Sequence, residues 1–357
     1  MFKNLYQFFK TGPARTPLTD TALIRKKYER ARWSVFISIT LGYGLFYVGR
    51  LTLGIAKKPM IDAGIMDAYQ LGMMGSAFYL TYAVGKFLNG FLADRMNIRR
   101  FMSLGLMVLA LVNLVLGFTT YFGIFVVLWA VNGWFQTLGS APSVVSLSQW
   151  FSKRELGTRY GIWSTSHFLG EAATFLITAI LVSKMGWRWG FWGPGIVCLI
   201  GGIIFYQFMY DRPQVYGLPS VADYKNDHTE VEKEETTTWQ LQLAVLKNPY
   251  VWILGLSSAA MSICRYGVMS WGVFYLQTHK GYDLVTASSI VSANPLFGLL
   301  GTVLSGFVSD RFFSSRRNVP ALIFSVVYVM AIIIFLITAS IVSIVLPLFV
   351  WKARVRE

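Results

Sequence analysis

Charge is scarce in this chain, and acidic charge scarcest. Charged residues make up 14% of its 357 positions, with 17 Asp and Glu against 32 Lys and Arg. Ordinary soluble domains carry about 25%, so a solvated globular surface is excluded. Cysteine is nearly missing: Cys198 and Cys264 both lie in apolar stretches, which excludes a disulfide framework and a thiolate metal site. The three histidines are too few and too scattered for zinc. No P-loop, dinucleotide fingerprint or nucleophile–base constellation is found, so neither an enzyme nor a cofactor is expected. Residues 1–32 hold no continuous apolar region ending in a small-residue cleavage site, and no cleaved signal peptide is predicted. Met1–Lys10 fits either a short interfacial helix or a disordered tail.

What remains is apolar. Hydrophobic residues reach 55%, aromatics 16%, and the mean hydropathy is +0.51. Runs long enough to cross roughly 30 Å of hydrocarbon fall at 33–55, 70–93, 101–118, 122–142, 157–183 and 188–209. Three more follow at 249–277, 284–309 and 319–350. An all-α membrane protein is predicted: an N-terminal segment (1–32), a six-helix bundle (33–210), a polar central loop (211–248), a partial bundle of about three helices (249–350) and a short tail (351–357). The central loop joins DRPQVYGLP to the acidic run HTEVEKEETTT and reads as a solvated linker.

The net charge of +15 sits in short loops rather than in one patch, which favours membrane orientation over nucleic-acid binding. With the N-terminus inside, the cytoplasmic segments hold 21 Lys and Arg and the opposite loops only five. That asymmetry predicts a cytoplasmic N-terminus; the membrane is expected to be the plasma (inner) membrane.

A basic loop signature occurs twice, as GFLADRMNIRR from Gly90 and GFVSDRFFSSRR from Gly306. Gly90 and Gly306 are 216 residues apart, as are Asp94 and Asp310, while Arg50 and Arg265 are 215 apart. Two unrelated landmarks sharing one step imply a duplicated membrane half with one intramembrane arginine in each. The same step would carry a full second half to about residue 426, so the chain is expected to be C-terminally truncated.

Ionisable side chains inside spans cost on the order of 3 kcal/mol each and usually face a cavity. Arg50, Lys86, His167, Glu171 and Arg265 are the candidates, and their cationic majority implies an anionic ligand. Helical spacing groups them: Tyr43, Tyr47 and Arg50 share a face, as do Tyr79, Tyr82 and Lys86, and Trp163, His167 and Glu171. Arginine offers a planar fork matching two phosphate or carboxylate oxygens, so one arginine per half could clamp a dianion. Tyrosines add hydroxyl donors and flat walls for an organic remainder, though aromatic stripes also serve plain packing. Lys86, close to Asp94 at the span's edge, could also snorkel to the interface. Asp94, Arg95, Asp310 and Arg311, with Gly90 and Gly306, are read as a structural latch between cytoplasmic helix ends.

The duplicated loop resembles the cytoplasmic loop motif of the major facilitator superfamily. More locally the chain is similar to the organophosphate:phosphate antiporter family, on LFYVGRLTLGIAKKPM, YLTYAVGKFLNGFLADR, LWAVNGWFQTLGSAP, GIWSTSHFLG, DRPQVYGLPSVADY and RYGVMSWGVFYL. DRPQVYGLP, KNPYVW and YDLVTASS lie nearest its hexose-phosphate branch, which holds transporters and a receptor-like sensor. The resemblance implies phosphoryl binding by Arg50 and Arg265, with Lys86 and His167 at the family's helix-2 lysine and helix-5 histidine. It implies exchange of inorganic phosphate for a sugar phosphate by a monomer, or sensing coupled to a membrane kinase, or an inactive remnant if truncation disables the fold. Two departures stand out. Glu171 replaces a small residue one turn below His167, where it would repel phosphate unless a cation pairs with it. Ser270 stands where the sensor branch carries Asp.

Overall fold

The computed structural model describes residues 7–93, 95–226 and 247–312, with isolated positions between 322 and 333; side chains at 254 and 302–312 are not described. The predicted span at 319–350, the tail, the acidic run at 228–238 and Asp94 therefore lie outside the described residues, apart from those isolated positions.

Among the described residues every regular element is a helix, apart from one isolated bridge between Lys10 and Met96. The elements are α1 (Thr21–Arg50), α2 (Thr52–Asp62), α3 (Ala68–Ala93), α4 (Ile98–Phe118), α5 (Phe122–Gln136) and α6 (Ser140–Trp150). They continue with α7 (Lys153–Met185), α8 (Trp189–Phe208), the short α9 (Val221–Lys225), α10 (Pro249–His279) and α11 (Leu284–Phe312). Among the described residues seven helical stretches are long and apolar enough to cross a membrane. The expected spans up to residue 309 are all occupied by helix, with two differences. The first extends over Thr21–Asp62, because the Asp20 carboxylate caps it by accepting from the backbone N–H groups of Ala22 and Leu23 at 2.9 and 3.2 Å. It also breaks at Leu51, as the fourth span breaks at Thr137–Gly139.

Both halves are built by close helix approach. In the first, α1 packs on α7 and α8, α3 on α5, and α4 on α8. A Cβ added at Gly170 would lie 2.5 Å from the Gly44 carbonyl oxygen, so only glycine lets α7 run this close to α1. The second half joins the first through α10 against α2 and α11 against α7.

Three apolar clusters hold this arrangement. One gathers Tyr28, Phe46, Phe101, Trp150 and Phe205 towards the end that carries the N-terminus. Another packs Met60, Leu71, Phe125, Trp129 and Phe191 at the opposite end, beside the loop between Asp62 and Ala68. The third crosses the halves, joining Ile55, Phe175 and Val182 to Met269, Leu276, Ala287 and Val291. This joint is made by α2 and the later part of α7, which places it towards the end of the Asp62–Ala68 loop. Outside, α1, α3, α7 and α8 expose Leu41, Leu80, Phe87, Ile177, Val197, Ile200 and Ile204. A continuous apolar exterior of that extent is the mark of a lipid-facing surface.

Polar straps close the N-terminal end. Trp150 Nε1 donates to the Asp211 carbonyl at 2.9 Å, and Ile98 N–H donates to Asp211 Oδ1 at 3.1 Å. Residues 211–217 thus pack onto the first half, with Gly217 at φ +71° closing the turn. Arg32 bridges to Glu155 at 2.5 Å, tying α1 to α7.

Candidate anion site between the halves

The break in α1 creates the site. Leu51 leaves helical register at ψ −2°, and α2 restarts at Thr52, so Arg50 occupies a helix end in the membrane interior. Buried backbone polar groups freed by such a break need partners. Two asparagines supply them. Asn113 Nδ2 and Asn132 Nδ2 each donate to the Gly49 carbonyl at 3.1 Å, and Thr52 Oγ1 donates to Asn113 Oδ1 at 3.2 Å. All three side chains are buried, so they pin the backbone behind Arg50.

The Arg50 side chain is itself buried, at 5% exposure, and neither terminal nitrogen meets a hydrogen-bond acceptor among the described residues. Aromatic faces surround it instead. Its guanidinium carbon lies 4.7 Å from the Tyr82 ring, 4.8 Å from Tyr266, and 5.5 Å from both Tyr47 and Phe78. A desolvated cation–π contact contributes about 2 kcal/mol, whereas burying an uncompensated guanidinium costs several kcal/mol. The rings stabilise the charge without accepting its hydrogen bonds, so among the described residues the terminal N–H donors of Arg50 are left for an anion to meet.

The three rows expected from helical spacing converge here. Tyr43 stacks on Trp163 with ring centroids 4.5 Å apart, and Tyr47 faces His167 at 5.3 Å. The hydroxyls of Tyr43 and Tyr47 are 3.4 Å apart. Row one of α1 therefore lies against row three of α7, and Tyr82 of α3 completes the wall at Arg50. Lys86 is exposed, with Nζ 5.7 Å from the Tyr82 ring, at the margin of this group. Tyr79 meets Tyr266 across the halves at 5.2 Å.

Arg265 enters from the second half and is not left to a ligand. Its Nη2 donates to Glu171 Oε1 at 2.6 Å, with side-chain exposures of 16% and 3%. The cation needed to tolerate Glu171 is thus Arg265, in the opposite half. The two arginines matched across the repeat therefore stand in different electrostatic states.

Towards the closed end the path above Arg50 is sealed. Lys57, at 1% exposure, donates to Ser270 O and to Ser270 Oγ, both at 2.9 Å, while its ammonium sits 3.3 Å from the Trp271 ring centroid. A Cβ at Gly54 would lie 3.1 Å from the Met269 carbonyl oxygen, so α2 and α10 approach backbone to backbone there. Between this seal and Arg50 only about 30 Å³ remains, lined by Arg50, Gly54, Phe78, Trp129, Met269 and Ser270. Larger grooves of about 460 and 550 Å³ lie on the apolar exterior along α1, α7 and α8, away from the charges.

Sequence reasoning did not single out Tyr266, Phe78, Asn113, Asn132 or the Lys57–Ser270 contact. Tyr266 adjoins Arg265, and Asn132 lies in the quoted helix-4 stretch, so both carried a signal. Lys57 read as one of the opposite-loop cations, and only the extension of the first helix to Asp62 buries it. Of the expected latch, Arg95 is exposed and its carbonyl accepts from Thr11 N–H at 3.3 Å. Asp94 and the side chains of Asp310 and Arg311 lie outside the described residues, and Gly90 and Gly306 occupy helical backbone. Among the described residues no metal-holding cluster occurs.

A helical membrane fold with an aromatic-walled candidate cationic site inside it points to the class of multi-pass carriers. The Major Facilitator Superfamily profile matches residues 39–354, and the chain belongs to that superfamily. It is 35% identical over 323 residues to the membrane sensor protein UhpC of Salmonella typhimurium, covering 89% of this chain and 73% of the relative. It is 34% identical to a probable hexose phosphate transport protein of Chlamydia trachomatis, over 86% of this chain and 71% of the relative. It is 32% identical to the glycerol-3-phosphate transporter of Haemophilus influenzae, over 91% and 72%. A crystal structure of a bacterial homologue of the lysosomal transporter Spinster, inward-facing and unoccupied, superposes with a TM-score of 0.72 at 19% identity, covering 91% of this chain and 73% of that one.

Proposed function

We propose that this protein carries an organic phosphate ester, a hexose phosphate by its similarities, across the plasma membrane in exchange for inorganic phosphate. The observation that carries the reading is the buried guanidinium of Arg50, without an acceptor among the described residues, in an aromatic chamber that Arg265 reaches from α10. A phosphoryl group would accept hydrogen bonds from Arg50 and draw on Arg265. Tyr43, Tyr47, Tyr82, Trp163 and His167 would flank the sugar, and Lys86 would raise the local positive potential. Relatives named as hexose phosphate and glycerol-3-phosphate transporters support the phosphate-ester class.

In this reading the N-terminus is cytoplasmic, the sealed Lys57 end faces outward, and the conformation is inward-open. Substrate binding draws the halves together, and rocking then exposes the site to the other side. The carrier works as a monomer. Vesicles reconstituted with the protein test the exchange. Internal phosphate should accelerate hexose phosphate uptake at least about tenfold, and equal rates with and without it would refute exchange.

A second reading is a receptor of the same fold that binds a sugar phosphate and signals to a membrane kinase. The 35% identity to a protein named as a membrane sensor favours it. Saturable binding without flux, together with kinase activity that depends on this chain, would establish it in place of transport.

A further inference from the structure

We propose that Glu171 is a built-in counter-anion that lets the empty carrier reorient, so that exchange here is not obligatory. The inference rests on the transport reading above. A phosphoryl anion held between Arg50 and Arg265 would do two things: neutralise facing cations and link the halves. The Glu171–Arg265 bridge already does both without a ligand, joining α7 of the first half to α10 of the second at 2.6 Å. Without the carboxylate, two guanidinium groups would face one site unneutralised, and closing the halves around it would be opposed by their repulsion. With it, the empty site carries one net positive charge from its arginines instead of two.

The pair is not built as a purely structural contact. Buried ion pairs offset their desolvation only when the remaining lone pairs and donors are satisfied. Glu171 Oε2 is buried and has no hydrogen-bond partner among the described residues, and Arg265 keeps part of its side chain exposed. Among the described residues Arg265 is the one ion-pair partner recorded for Glu171, while Arg50 faces Tyr47, Tyr82 and Tyr266. Such a pair holds when the site is empty and yields to a better anion. Phosphate would take Arg50 directly and compete with Glu171 for Arg265. The carboxylate therefore weakens ligand binding and at the same time supplies a route home for the unloaded carrier.

Glu171→Gln separates these effects, because the amide keeps the shape and one acceptor but loses the charge. In reconstituted vesicles, wild type should take up hexose phosphate without internal anion, more slowly than by exchange. In E171Q that net uptake should fall at least about tenfold relative to exchange, while half-saturation by phosphate in phosphate–phosphate exchange tightens about tenfold. Net uptake and exchange falling in the same proportion would overturn the inference, as would wild-type uptake that requires internal phosphate. Absence of phosphate exchange in wild type would instead count against the transport reading. In that event spin-label distances decide between outcomes for Glu171. Ligand-free wild type should sample both inward-open and outward-open separations and E171Q only one until phosphate is added; identical ligand-free distributions would refute the role.

Discussion

Replacing Lys57 by Met should open the sealed end of the carrier. Lys57 makes two charge-assisted hydrogen bonds to Ser270 at 2.9 Å and lies 3.3 Å from the Trp271 ring centroid, so all three ammonium donors have a destination in the second half. Each such hydrogen bond contributes about 1.5–3 kcal/mol, and a desolvated cation–π contact about 2 kcal/mol. Against this gross gain of about 5–8 kcal/mol stands the dehydration of an ammonium at 1% exposure, which costs several kcal/mol. The two are of similar size, so only a small remainder favours the closed state, and a remainder of about 1.4 kcal/mol corresponds to a tenfold population shift. Methionine keeps the volume and the apolar stem, so the joint around Ile55 and Phe175 should survive. The readout is labelling of a cysteine placed in the seal itself. Met269→Cys serves, in a Cys264→Ser background, since Cys264 is exposed and would react first. An impermeant maleimide added from the Lys57 side should label this cysteine about tenfold faster when Lys57→Met is also present. Rates within about twofold of each other would show that the apolar joint alone closes this end.

Other expectations follow from neighbouring contacts. Arg50→Lys preserves charge but not the planar fork, and should weaken phosphate binding about a hundredfold, measured by isotope exchange. Asn132→Leu removes one of the two amide donors to the Gly49 carbonyl and should destabilise the fold by about 1–3 kcal/mol, read as a lower Tm in detergent. Outside the membrane, burial raises the Asp211 carboxyl above its ordinary 3.8, despite the opposing hydrogen bond from Ile98 N–H. A raised acid binds its proton more tightly folded than unfolded, so its stabilising contribution is present below 3.8 and is lost as pH rises through the folded value. Asp211→Asn should flatten that loss, and parallel stability–pH curves for the two proteins would contradict it.

The site was partly legible because helical period and burial act on the chain locally. Apolar length alone placed helices at 70–93 and 101–118, where α3 and α4 lie. The spacing of Tyr43, Tyr47 and Arg50 required one face, and the repeat step of 215 paired Arg50 with Arg265 before any contact was known. Other features carried no local signal. The break at Leu51 has no proline or glycine at that position to announce it; it is stabilised by Asn113 and Asn132, which come from α4 and α5. Lys57 looked like a loop cation because its partner Ser270 is 213 residues away.

Composition, period and duplication, which are properties of the chain read in order, determined that this is a helical membrane carrier with an arginine in each half. Tertiary structure alone decided the state of those arginines. Arg50 stands among rings with no acceptor among the described residues, while Arg265 is held by Glu171. Charge within a membrane is governed by which groups meet through space, and a sequence supplies the inventory of charges without saying which of them neutralise one another.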